Sequence, residues 1–185
     1  MVNFLLNEKA DIDYISVKSE TALALAIQEK HIETSRILLE RGANTAVQNA
    51  KGQTPLMSAV LTGETEIVKL IFQHQKQESL TAELDTAYFI GNTPLMVSTD
   101  KGFLDIATFL LERGAKVESI NRWNETALMF ASSKGFRKIV SLLLKHGAVI
   151  DARDISEKTA LLRAAQNGHL LTVAVSYTHL RAHET

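Results

Sequence analysis

Apolar and small residues along the chain fall in short clusters at i, i+3, i+4, each opened by a threonine. Leu56, Ala59 and Val60 form one cluster, and Leu128, Ala131 and Ser132 another. That spacing gathers the side chains on one face of a helix. A second kind of cluster, such as Ile139 to Leu144, follows each of the first kind and predicts a second helix. Between these pairs run polar, turn-rich stretches such as Ala148 to Lys158, too short for another packed helix and suited to an extended hairpin.

The pattern is periodic. Thr21, Thr54, Thr93, Thr126 and Thr159 are separated by 33, 39, 33 and 33 residues, and each has leucine two positions later. Leu5, Leu38, Ile71, Leu110 and Leu143 step by 33, 33, 39 and 33. All nine glycines fall in three columns of this frame: Gly52 and Gly91; Gly63, Gly102, Gly135 and Gly168; Gly42, Gly114 and Gly147. The threonine suits an N-cap, its hydroxyl accepting from an orphan N–H of the first turn, and both prolines, Pro55 and Pro94, follow it where a missing N–H costs nothing. The glycine nine residues after the threonine closes the first helix, and Gly147 closes the second. A pair of short helices cannot bury its own apolar face, so the units must stack on one another.

Gly52-Gln53-Thr54-Pro55-Leu56-Met57-Ser58-Ala59, Gly91-Asn92-Thr93-Pro94-Leu95-Met96, Glu66-Ile67-Val68-Lys69-Leu70 and Leu110-Leu111-Glu112-Arg113-Gly114-Ala115 resemble the ankyrin repeat over residues 1 to about 174. The resemblance implies an α-helical solenoid of helix-turn-helix units with β-hairpin fingers, and a domain that binds proteins without performing chemistry. In its frame, residues 1–16 are a partial repeat, 17–48, 49–87, 88–120 and 121–153 are repeats, 154–174 is a partial repeat, and 175–185 breaks every column. The usual histidine after Thr-Pro-Leu is replaced by Met57, Met96 and Met129, expected to fill the core. Lys30 stands where glycine ends the first helix elsewhere, a cost of up to about 1 kcal/mol if the left-handed geometry is kept. Thr34-Ser35 replaces an apolar pair, so the first complete repeat is expected to pack weakly. Six extra residues lengthen the segment around 73–87. They read as a surface insertion, an extended outer helix or a lengthened recognition finger.

Residues 2–13 align with the end of a repeat, leaving Val2, Phe4, Leu5 and Leu6 without a neighbour on one side, so truncation of a longer array is expected. The segment Val175 to Thr185 resembles the in-frame translation of a transposase-type sequencing adapter and is excluded from functional argument. It contains His179, His183 and Glu184, whose i, i+4 histidine spacing would otherwise suggest a metal pair.

Composition adds limits. At 45% apolar and 22% charged, the chain is not disordered throughout. With 20 Lys+Arg against 21 Asp+Glu it has no bulk field for a polyanion, and Lys134, Arg137 and Lys138 form only a short basic stripe, so no nucleic-acid partner is expected. Cysteine is absent, which removes disulfides and thiolate chemistry and suits a reducing compartment; a cytoplasmic protein is expected, with a secreted effector as the alternative. No apolar run approaches the roughly 18 to 20 residues of a membrane helix, and Met1 to Leu6 turns polar before a leader could form, so no membrane partner is expected.

No phosphate loop, nucleophile elbow or zinc-helix motif is present, so neither an enzyme nor a cofactor or metal site is expected. His31 and His169 start outer helices and read as capping or packing residues; His74 lies by the insertion and His146 before a helix-ending glycine. Asp151 and Asp154 read as turn formers.

The resemblance places targets across the finger tips and the inner-helix face. The tip pairs are Val17 and Lys18, Ala50 and Lys51, Phe89 and Ile90, Arg122 and Trp123, and Ile155 and Ser156, an apolar set for exposed turns. Trp123 is the leading candidate, with Arg122, Phe89, Ile90, Val17, Lys18, Lys51 and Ile155 beside it. Trp123 and Phe89 could instead fold onto adjacent fingers to stiffen them. Inner-helix ends add Leu61, Lys101 and Lys134. The expected function is a protein-interaction scaffold acting as a monomer, or associating through its ragged ends. The alternative is a regulatory or targeting module of a larger enzyme, channel or secreted effector.

Overall fold

The structure, a computed structural model, describes residues 1–74, 84–88 and 90–169. Residues 75–83 of the insertion, Phe89, and everything from 170 onward, including His179, His183 and Glu184, lie outside the described residues. The chain forms two compact units, Met1–Glu83 and Leu84–Thr185, which part inside the lengthened segment.

Among the described residues ten helices are bounded. The first unit holds α1 (Val2–Asn7), α2 (Ala22–Gln28), α3 (Ile32–Glu40), α4 (Pro55–Thr62) and α5 (Thr65–His74). The second holds α6 (Pro94–Lys101), α7 (Leu104–Glu112), α8 (Ala127–Lys134), α9 (Arg137–Lys145) and α10 (Ala160–Gln166). Within the first unit α2 packs on α3 and α4, and α5 packs on α3 and α4, with α1 against α3. Within the second, α6, α8 and α10 stack in one layer and α7 and α9 in another. Each unit is thus built as a helical repeat solenoid is built, from inner and outer helices that bury their faces only on the next copy.

The local signals act as the sequence predicts. The hydroxyls of Thr21, Thr54, Thr93, Thr126 and Thr159 accept from the third backbone N–H beyond them, at Ala24, Met57, Met96, Met129 and Leu162. Pro55 and Pro94 open their helices. Gly63, Gly102 and Gly135 take left-handed geometry at the ends of α4, α6 and α8. Met57, Met96 and Met129 are core residues, beside Leu56, Ile67, Ile71, Ile106, Leu110, Leu128 and Ile139. The first complete repeat packs less: α3 buries Ser35, Leu38 and Leu39, whereas α5 buries five residues. Buried Ser35 spends its hydroxyl on the His31 carbonyl at 3.0 Å, filling space that an apolar side chain fills elsewhere.

Three expectations need correction or detail. The fingers contain no strand among the described residues, and Tyr88 and Asn92 make an isolated antiparallel bridge; each arm is too short for a ladder. His31 stands at the N-cap of α3 but makes no side-chain cap bond. Lys30 does keep the left-handed geometry at φ 59°. Its ammonium bonds the Thr62 carbonyl and Glu64, both at 2.9 Å, partly offsetting that strain.

Candidate functional interface

All five finger tips are built by the same local chemistry. The backbone N–H of Ser16, Asn49, Tyr88, Asn121 and Asp154 donates to the carbonyl four residues on, and the N–H three residues on donates back. The residue closing each turn, Ser19, Gly52, Gly91, Asn124 or Glu157, has positive φ. This is a type I turn followed by a left-handed residue, the three-residue hairpin loop. At four of the five tips the first side chain fastens the loop by accepting from two N–H groups: Ser16 from Lys18 and Glu20, Asn49 from Lys51 and Gln53, Asn121 from Trp123 and Glu125, and Asp154 from Ser156 and Lys158.

In the second unit the tips are also tied to one another. The Arg122 N–H donates to the Ile90 carbonyl and the Ile155 N–H to the Trp123 carbonyl, each at 3.0 Å. Beneath them runs a polar chain. Asn121 Nδ2 donates to Asn92 Oδ1 at 2.9 Å and to Glu125 Oε2 at 2.7 Å, so with its two accepted bonds the whole amide is used. The Arg163 guanidinium, from α10, bridges Glu125 Oε1 at 2.7 Å and the Asp154 carboxylate. Asp154 is 4% exposed. Burial opposes its ionisation, but hydrogen bonds from Arg163 and from the N–H groups of Lys158 and Ser156, with the guanidinium charge, hold it below the usual carboxylate range. Asp154 is therefore a turn former, as its position suggested, and also the anchor of a buried ion pair. Sequence reading missed that second role. The signal was one arginine at a column otherwise occupied by Leu25, Ser58, Val97 and Phe130.

Of the tip residues singled out from sequence, Ile90, Arg122, Trp123 and Ile155 are brought into one backbone-bonded row. Trp123 is 41% exposed and Ile155 62%, while Ile90 is half-buried and Arg122 exposed. Ile120, not singled out beforehand, adds a third exposed apolar side chain on this finger row. Val17, Lys18 and Lys51 are exposed on the first unit's tips, where no such rung joins the fingers among the described residues. Leu61 is half-buried, and Lys101 and Lys134 are exposed at inner-helix ends. Lys134 is shared with Asp100 at 3.7 Å, and Asn167 donates to Ser133 Oγ at 3.2 Å, so this edge is laced between repeats. His169 packs over Gly135 and its Nε2 lies 3.0 Å from the Ser133 carbonyl, a packing role.

Among the described residues no group of three or more His, Asp or Glu is placed to hold a metal ion, and no helix is long and apolar enough to cross a membrane. What the row offers is a stiff, mixed surface with desolvatable apolar tips.

The family model described as "Ankyrin repeats (3 copies)" matches residues 1–83, 43–121 and 117–175. The chain is 34% identical over 113 residues to protein fem-1 homolog A-like of Mus musculus, covering 61% of this chain and 16% of that protein. It is 29% identical over 103 residues to transient receptor potential cation channel subfamily A member 1 of Homo sapiens, covering 56% and 9%. It is 31% identical over 121 residues to glycerophosphocholine phosphodiesterase GDE1 of Candida albicans, covering 63% and 10%. The chain thus spans between 9% and 16% of the length of these relatives.

Proposed function

The chain belongs to the ankyrin-repeat family, whose repeats are protein-interaction modules, and from that premise we propose that it binds a protein partner across the finger row of its second unit. The observation that supports this most is the exposed indole of Trp123 on a turn whose carbonyl is already fixed by Ile155. An aromatic on a backbone already fixed loses less freedom on binding, which favours its becoming a hot spot. With 41% of its surface still exposed, the indole has about 100 Å² left to bury, worth about 2.5 kcal/mol. That exceeds the 1.4 kcal/mol of a tenfold change in affinity. Ile155, Ile120 and Arg122 extend the surface, and Lys101 and Lys134, the latter paired with Asp100, add exposed cations at the inner-helix ends.

The test uses a partner first captured from cell extract on the whole array. Trp123→Ala should weaken that partner by at least about tenfold and leave the thermal midpoint nearly unchanged. Because Trp123 is the chain's single tryptophan, its emission should shift to the blue on binding. Intact affinity with a lowered midpoint would assign the residue to packing between fingers. A second reading is favoured by the similarity to parts of a channel and of a phosphodiesterase: the repeats regulate or target a larger enzyme, channel or secreted effector. The full reading frame of the parent gene decides between them.

A further inference from the structure

The outer helices carry a charge column that reverses sign once. Its members are Glu33 on α3, Glu66 on α5, Asp105 on α7 and Lys138 on α9, spaced by 33, 39 and 33 residues. An acid in the first turn is favoured by the helix dipole, and a cation there is disfavoured. Helices α3, α5 and α7 follow that rule, whereas α9 opens with Arg137 and Lys138 and has no acid in its first turn. In the first unit the column is neutralised, since Arg36 bridges Glu33 at 3.3 Å and Glu66 at 2.6 Å. The residue at the Arg36 position of α9 is Ser141, and neither Arg137 nor Lys138 has an ion-pair partner among the described residues.

These two cations border a cleft of about 700 Å³ whose other walls are Leu104, Phe136, Ile139 and Ser141. Phe136 lies flat over Gly102, so close that a Cβ there would stand 2.7 Å from the ring, and this leaves an aromatic floor. The volume suits a few side chains, not a folded surface. A bare inorganic anion would gain nothing from the apolar walls, and two cations on one turn are too few to track a nucleic-acid backbone.

We propose that this outer-helix cleft of the second unit is a docking site for an acidic protein segment that carries an apolar anchor. The anchor sits against Phe136, Leu104 and Ile139, and the flanking carboxylates meet Arg137 and Lys138. The surface lies on the outer helices, away from the finger row, so a partner engaged there leaves Trp123 accessible.

The experiment is an amide NMR titration of the whole chain with the blocked peptide Glu-Leu-Asp-Phe-Glu, and with Gln-Leu-Asn-Phe-Gln as the uncharged control. The acidic peptide should move the amides of Gly102, Ile139 and Ser141 saturably, and the control should bind at least about tenfold more weakly. Raising salt from about 0.01 M to about 0.15 M should weaken only the acidic peptide. The double variant Arg137→Glu, Lys138→Glu should lose binding by about tenfold or more with an unchanged or higher thermal midpoint, as the acids on the sister helices require. Trp123→Ala should leave this binding unaltered, which separates the result from that of the finger row. Equal binding of the two peptides, shifts confined to the finger tips, retained binding in the double variant, or a lowered midpoint would each overturn the proposal.

Discussion

In Met1–Glu83 the finger turns at Ser16 and Asn49 close on their own backbones, whereas in Leu84–Thr185 the turns at Tyr88, Asn121 and Asp154 are also bonded to one another. The two units share one frame, one capping residue and one turn geometry. They differ in what joins neighbouring repeats. The first unit relies on exposed ties, Lys30 to Glu64 and Arg36 to Glu66, which are worth little in water. The second adds the chain from Asn92 through Asn121, Glu125 and Arg163 to Asp154, most of it out of solvent. Glycine use differs in degree: positive φ falls on Lys9, Ser19 and Lys30 beside Gly42, Gly52 and Gly63 in the first unit, and on Asn124 and Glu157 beside six glycines in the second. Local chemistry therefore repeats each unit faithfully, and cohesion between repeats depends on a few side chains that do not repeat.

The strongest way to erase this contrast is Arg163→Met. It leaves buried Asp154 and half-buried Glu125 without their shared cation and should cost about 3 kcal/mol. Urea unfolding would measure it, and amide exchange should rise at Asn121 and Glu125 with little change at Asn49. A loss under about 1 kcal/mol would mean the network adds nothing to cohesion.

Next in size is Gly135→Ala. Its Cβ would stand 2.6 Å from the His169 ring on a backbone at φ 75°. Strain and overpacking together should cost about 2 to 3 kcal/mol. Gly42, at φ 84°, has nothing within 4 Å of the same added atom, so Gly42→Ala should cost only about 1 kcal/mol. Equal losses at the two sites would remove tight inter-repeat packing as a distinction between the units.

Acid acts on the same network more gently than removal of the arginine. Asp154 is held below the usual carboxylate range, so the stability it contributes is complete above that range. It is lost as pH falls through the depressed value in the folded state, while Arg163 stays charged. Carbon NMR titration of the Asp154 carboxyl should give a midpoint below the usual carboxylate range. A higher midpoint would show that burial outweighs the guanidinium. The smallest change is Lys30→Gly. Relief of left-handed strain, set against loss of an exposed ion pair, should raise stability by less than about 1 kcal/mol, read as a small upward shift in the thermal midpoint.

Much of the architecture was legible before any coordinates. The threonine caps, the prolines after them, the helix-ending glycines and the strain at Lys30 all act within a few residues, so spacing alone identified them. The finger turns were legible as turns, although among the described residues they form no strand, the arms being too short for a ladder beyond the isolated Tyr88–Asn92 bridge. The partners of Asp154 were not legible. Arg163 lies nine residues beyond it and Glu125 lies in the preceding repeat, and no local preference connects the three. Ile120 was passed over because alternation in a short arm does not say which side faces water. The charge reversal at Lys138 is visible in the frame, but its link to a cleft depends on where Phe136 comes to rest.

The sequence by itself determined the unit: its period, its two helices, their caps and the turn between copies. Those choices are made by backbone sterics and by hydrogen bonds that span one or two turns of chain. Only the tertiary structure decided which fingers are bonded together, which charges are buried in pairs and which stand free at a groove. Apart from Arg163 with Asp154, nine positions away, such pairings join residues 29 to 38 positions apart, and they exist only once stacking has brought successive copies into register.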